Sequence, residues 1–203
     1  QMPKIAMIVG RGMGIPDNGE IWHMLDQRFG IPPTLIEFTT LHSHDLSAYN
    51  VIILANGSPT EPLSPQALPK LKEWVENGGT LITTGSAYKL TNKAKITDFK
   101  TLSQGKKKEK VEGNAHIEYK PYHDTSKAKS GIEGVIFHCH LDITSPLGYG
   151  YENPNVAIMK NGTTVMDFSQ IKGSSPMQYT KQPYLSGCVS LENIKRISNA
   201  PAS

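Results

Sequence analysis

Cysteine is nearly absent from this chain: Cys139 and Cys188 are the only two in 203 residues. Two are too few for a disulfide scaffold or a four-cysteine zinc site. Long hydrophobic runs are missing as well. None approaches the ~20 residues that a membrane-crossing helix needs, so no membrane span is expected. Charge of one sign is also lacking, because the formal net charge is +3. That surplus is too small to imply nucleic acid or an anionic membrane as a partner. Eighteen Gly and fourteen Pro describe a loop-rich globular protein, short of the bias that signals disorder. The length suits one domain with decorations, or one and a small annex. The start of the chain shows no charged n-region, apolar stretch or small-residue cleavage site, and Gln1 stands where an initiator methionine would. It reads as a mature or excised piece.

What is there divides into two halves. In the first hundred residues, strand and helix signals alternate. Ile5 to Val9 is an apolar run that stops at Gly10, Gly12 and Gly14, as suits a central parallel strand buried on both faces. Asp17 or Asn18 offers an N-cap for a helix from about Gly19 to Phe29, with Ile21, Trp22, Leu25 and Phe29 as its apolar stripe and Gly30 as its stop. Strands are expected over Thr34–Phe38, Val51–Ala55 and Thr80–Thr84. Between the last two, Ser64-Pro65 signals a helix start, and Leu68, Leu71, Trp74 and Val75 form its buried stripe. Pro69 requires a kink or a later start there. Strand, helix and strand at this spacing predict right-handed parallel crossovers and hence an α/β sheet.

The second half changes character. Gln104 to Lys110 is a charged loop, with three adjacent lysines that lack interleaved aromatics. Lys120 to Gly131 is another polar stretch. Short strand-like pieces follow at His116–Tyr119, Val135–Leu141, Val156–Met159 and Thr163–Asp167, and a last helix begins at Ser190. The expected organisation is one domain over residues 1–203, with core βα units over 1–104 and a strand-rich second half over 105–203.

In an open parallel sheet, ligands bind outside the carboxyl ends of the strands. Here those ends lead into Gly10–Glu20, Asn56–Glu61 and Gly85–Lys89, and the candidate ligand contacts are Arg11, Asn18, Glu20, Asn56, Gly57, Ser58, Ser86 and Ala87. Gly10-Arg11-Gly12-Met13-Gly14 lacks the final spacing of a dinucleotide loop, so it reads as a flexible turn, and no cofactor is expected. Glu20 has a second reading, as an acid favoured by a helix N-terminus. Gly85-Ser86 after a buried strand has the look of a nucleophile elbow, yet the full G-x-S-x-G pattern is absent. A hydrolase in which Ser86 attacks, with His138 or His140 as its base, is the alternative to a serine that simply caps the next turn. His138, His140 and Asp142 would share one face of a strand, as weak candidates for metal ligands. The same alternation describes a half-exposed edge strand with Phe137, Cys139 and Leu141 packed inward. Cys139 then acts as a small buried hydrophobe, and a Cys139–Cys188 disulfide stays open.

Four strings stand out: Asn18 to Arg28, Asp45 to Ile53, Trp74 to Ile82, and Pro146-Leu147-Gly148-Tyr149-Gly150-Tyr151. Together they resemble the amidotransferase-like domain that follows the catalytic domain in certain bacterial secreted zinc carboxypeptidases, over about residues 3 to 198. The resemblance implies a flavodoxin-like parallel sheet flanked by helices, with extra β-strands in the C-terminal half. It also implies a periplasmic or secreted location and a peptidase domain of the same parent chain as partner. Class I amidotransferases place a cysteine at the elbow and a His-Glu pair later. Here the elbow holds Gly85-Ser86, and Ser145 stands where related domains commonly carry a histidine before Pro-Leu. None of the seven histidines opens a His-x-x-Glu, so the parent's zinc site lies outside these residues. The expectation is a non-catalytic accessory domain that packs against the peptidase or binds a small molecule or peptide end.

Overall fold

The computed structural model describes residues 3–57, 65–102, 131–171 and 173–202. The Ser64 helix start, the lysine loop and the His116–Tyr119 strand lie outside them. The chain forms two compact units, Gln1–Asp98 and Phe99–Ser203.

The first unit is a parallel four-stranded sheet built from β1 (Ile5–Val9), β2 (Thr34–Glu37), β3 (Val51–Leu54) and β4 (Thr80–Thr83), in the order β2-β1-β3-β4. Its register sets Met7 against Leu35 and Ile53, and Ile53 against Ile82. Helix α2 (Ala67–Glu76) and α3 (Tyr88–Lys93) pack on one face, where Ala6, Ile8, Ile36, Ile52 and Leu54 meet Leu71, Trp74 and Leu90. Helix α1 (Ile15–His23) helps cover the other, where Ile21 and Leu25 rest on Ile5, Met7 and Ile53. This is the expected α/β sheet. Pro69 falls in the first turn of α2, where its missing N–H would have no helical partner anyway. The helix starts late instead of kinking.

Helix α1 departs from expectation. It begins at Ile15, with Gly14 as its cap and Pro16 in the first turn, and passes into a π-helical turn over Met24–Arg28. The proline's fixed φ suits a first turn, so it outweighs the Asp17 and Asn18 cap signals. The extra residue in the π turn shifts the stripe. Ile21 and Leu25 pack inward, while Trp22, ahead of the π turn, and Phe29, just beyond it, are exposed.

The second unit is an antiparallel sheet in the order β6-β5-β7, with β5 (Ile132–Leu141), β6 (Asn155–Lys160) and β7 (Met177–Val189). Its core gathers Ile132, Val135, Phe137, Cys139 and Tyr179 against Ile197 of α4 (Leu191–Ile197). Phe137 and Tyr179 meet edge to face, their ring centroids 5.6 Å apart. The Ser190 side chain caps α4 by accepting from the Asn193 N–H, as its position suggested. The expected inward packing of Phe137, Cys139 and Leu141 is present, but β5 is the central strand of its sheet and not an edge. Among the described residues Thr163–Asp167 forms no strand, and its ladder contact there is a bridge between Met166 and Thr101.

Candidate functional site

The carboxyl ends of β1, β3 and β4 converge on a knot of hydrogen bonds in the first unit. Asn56 follows β3. Its amide N–H donates to Thr84 Oγ1 (3.0 Å), its carbonyl accepts from Gly14 N–H (2.6 Å), and its Oδ1 accepts from Ser86 N–H (2.9 Å). Its Nδ2 reaches Asp17 Oδ2 at 3.5 Å. Each of the three loops is thus tied to one amide side chain or its backbone.

Ser86 is held within the same knot. Its Oγ lies 2.9 Å from Asn56 Oδ1 and 3.0 Å from the Gly57 carbonyl, and it accepts from the Gly57 N–H at 3.2 Å. One hydroxyl proton has two acceptors to choose from, and a lone pair is already in use. Among the described residues, no histidine is a hydrogen-bond partner of Ser86. The left-handed conformation of this strand-to-helix turn belongs to Gly85 (φ 55°), whereas in a nucleophile elbow the attacking residue itself sits on the strained turn.

The other expected contacts divide. Asn56, Gly57 and Ser86 come together, with Gly14 and Asp17 as members that sequence reasoning missed. Asp17 carried a signal, an acid at a helix start, which reads equally well as a cap. Asn18 is buried: its Nδ2 donates to the Gly14 carbonyl (2.9 Å), and its Oδ1 is buried without a hydrogen-bond partner among the described residues. Arg11 and Glu20 are exposed. Because α1 starts at Ile15, Glu20 lies beyond the first turn and Asp17 is the acid placed at the helix dipole. Ala87 is fully buried among core residues and offers a ligand little surface. Ser58 lies outside the described residues.

In the second unit, alternation along β5 turns His138, His140 and Asp142 away from the core side chains. His138 Nε2 lies 3.2 Å from Asn155 Oδ1. Asp142 accepts from both the N–H and the hydroxyl of Thr144, and those bonds, the side-chain one foremost, hold its carboxyl below the usual range. Among the described residues, no three His, Cys, Asp or Glu side chains gather as a metal site would need. Both cysteines are free. Cys139 pairs with Tyr179 across the ladder and Cys188 with Glu133. That separates them by about 20 Å along the strand, far beyond disulfide reach.

Burial pushes the Cys139 thiol up to about 11 from an ordinary 9.0, so it is no ready nucleophile at neutral pH. The folded state keeps this proton longer than the unfolded chain, so stability is full below pH 9 and falls as pH rises toward 11. The loss from this group is expected to be about 2–3 kcal/mol. Urea unfolding at pH 8 and pH 11 measures it, and Cys139→Ala should flatten the dependence. Burial also raises Tyr179, which adds to the alkaline loss in both proteins.

A cavity of about 470 Å³ lies at the other end of the parallel sheet, before β3 and β4, lined by Asp45, Tyr49, Lys70 and Trp74 among others. Its polar groups serve the fold: Lys70 Nζ donates to the His42 and His44 carbonyls, and Trp74 Nε1 to the Tyr49 carbonyl.

No family model matches the chain, and no curated protein sequence matches it. A solved structure does: that of a Thermoplasma acidophilum protein described as a candidate GMP synthase component. It is 9% identical, with a TM-score of 0.52 over 94% of this chain and 77% of that one. The likeness shows the fold alone, a flavodoxin-like α/β sheet flanked by helices.

Proposed function

We propose that this chain is a non-catalytic accessory domain whose crevice binds, and whose parent protein is a secreted or periplasmic zinc carboxypeptidase-like enzyme. The observation that supports the first part is the state of Ser86. Its hydroxyl is spent on Asn56 and Gly57, and the strained position of the turn is a glycine. A nucleophile needs a base at hydrogen-bond distance and oxyanion donors facing the attacked atom. Here the Gly57 N–H that could face such an atom already donates to Ser86 Oγ. Asn18 Oδ1, buried beside the Gly14 carbonyl without a hydrogen-bond partner among the described residues, is an acceptor that an N–H or O–H of a small molecule or peptide end would satisfy if it reached that far. The carboxypeptidase parentage rests on the four sequence strings.

Two experiments test this. Purified protein should hydrolyse p-nitrophenyl acetate and L-glutamine no faster than its Ser86→Ala variant, with both at background. A rate at least tenfold above the variant would support the hydrolase reading instead. Reading the codons upstream of Gln1 in the parent gene should reveal a peptidase domain with His-x-x-Glu. An unrelated domain there would remove the parentage.

A further inference from the structure

We propose that the outer edge of β6 is a docking edge for an extended peptide that carries an apolar side chain beside a basic residue. The site lies wholly in the second unit and is independent of the crevice in the first.

The argument starts from the ladder. The Leu141 N–H donates to the Pro154 carbonyl (2.7 Å), which places that pair in hydrogen-bonded register. In an antiparallel ladder such pairs alternate. Val156, Ile158 and Lys160 therefore bond to β5 opposite Cys139, Phe137 and Val135, and Asn155, Ala157 and Met159 turn their backbone groups outward. The Asn155 N–H is already met by Asn153 Oδ1 at 2.8 Å. The N–H and C=O groups of Ala157 and Met159 have no strand beside them among the described residues.

The two edges of this sheet are treated differently. Edge strand β7 contains Pro183, and its pairing with β5 shifts register at three places. Both devices blunt an edge against foreign strands. Edge strand β6 has neither: its six pairs run in unbroken register, it contains no proline, and Met159 stands 69% exposed on it. A regular edge with neither device, and with no strand beside it among the described residues, is what strand addition requires.

A cavity of about 660 Å³ adjoins this edge, lined by Leu147, Tyr151, Val156, Ile158 and Met177 among others. Leu147 and Tyr151 come from the Pro-Leu-Gly-Tyr-Gly-Tyr string and are 77% and 57% exposed. A buried apolar side chain from an added strand would cover them. Glu152 is the charged residue among the described lining, so the complementary neighbour is basic. Main-chain bonds to Ala157 and Met159 would supply affinity, and the cavity and Glu152 the choice of sequence.

The probe is a fluorescein-labelled, end-blocked heptapeptide alternating threonine and leucine with one central lysine. The control is the same peptide N-methylated on alternate amides. Anisotropy should show saturable binding to the wild-type protein, weakened tenfold or more by N-methylation. Ala157→Pro removes an outward N–H without touching the β5 ladder, so it should fold by circular dichroism and lose tenfold or more. Glu152→Gln should lose severalfold, less at high salt. Bound peptide should slow amide exchange at Ala157 and Met159. Absence of binding, or binding indifferent to N-methylation, would overturn the proposal. So would exchange at those two amides that is already slow in the free protein: the occupant is then the chain itself or, where the protection depends on concentration, a second copy.

Discussion

Gly57→Ala is expected to lose about 3–5 kcal/mol of unfolding free energy, the sum of a strained backbone and a steric overlap that backbone atoms cannot relieve. Gly57 has φ 155°, and a Cβ there would lie 2.6 Å from Met13 Cα, 2.7 Å from the Gly12 carbonyl oxygen and 3.0 Å from Gly14 N. None of these is the end of a flexible side chain. Relief would require parting the Met13–Gly57 bridge and the bond from Gly14 N–H to Asn56, which together hold the loop after β1 to the loop after β3. The control is Gly78→Ala. It also has positive φ (98°), but nothing lies within 4 Å of its Cβ, so it should cost about 1–2 kcal/mol from backbone strain alone. Urea unfolding of both variants makes the comparison. Equal losses would mean that the loops do not meet as described, and the crevice would lose its foundation.

Phe137→Ala is expected to lose a similar amount, about 3–5 kcal/mol, in the other unit. Phe137 is fully buried at the centre of β5 and stands edge to face against Tyr179. Its removal leaves a cavity between a sheet and α4 that a pleated backbone cannot close. Each unit has its own core clusters, so the loss should be local. Hydrogen exchange followed by mass spectrometry should show faster exchange across β5, β6 and β7, with β1 to β4 unchanged. Uniform acceleration over both units would contradict two separate cores.

The parallel half was legible because its strands are short apolar runs. Val51 to Leu54 and Ile5 to Val9 are buried on both faces and broken by glycine and asparagine at their carboxyl ends. The same breaks pointed to Asn56, Gly57 and Ser86. What they could not show is how the hydroxyl would be spent, because that depends on φ at Gly85 and on an amide 30 residues away. Strand β7 escaped notice for a physical reason. Gly187 and Pro183 interrupt it, its exposed residues mix polar side chains with Tyr184 and Leu185 so that no alternation shows, and as an edge strand it needs only one good face. Alternation at His138 to Asp142 gave the orientation of β5 correctly and its place in the sheet wrongly, since one strand's pattern says nothing about its neighbours. The start of α1 turned on Pro16, whose preference for a first turn outweighed two good capping residues.

The non-catalytic reading rests on one hydroxyl, and one measurement addresses it most directly. The protein is incubated with a fluorophosphonate, whose phosphorus an activated serine attacks to form a stable phosphonyl ester, its proton passing to a base and fluoride leaving, and the protein's intact mass is then recorded. A serine whose proton and lone pair are engaged by Asn56 and Gly57 should not react, so the expected result is an unmodified mass. A single stoichiometric adduct that maps to Ser86 and disappears in Ser86→Ala would contradict this reading and make the protein a hydrolase.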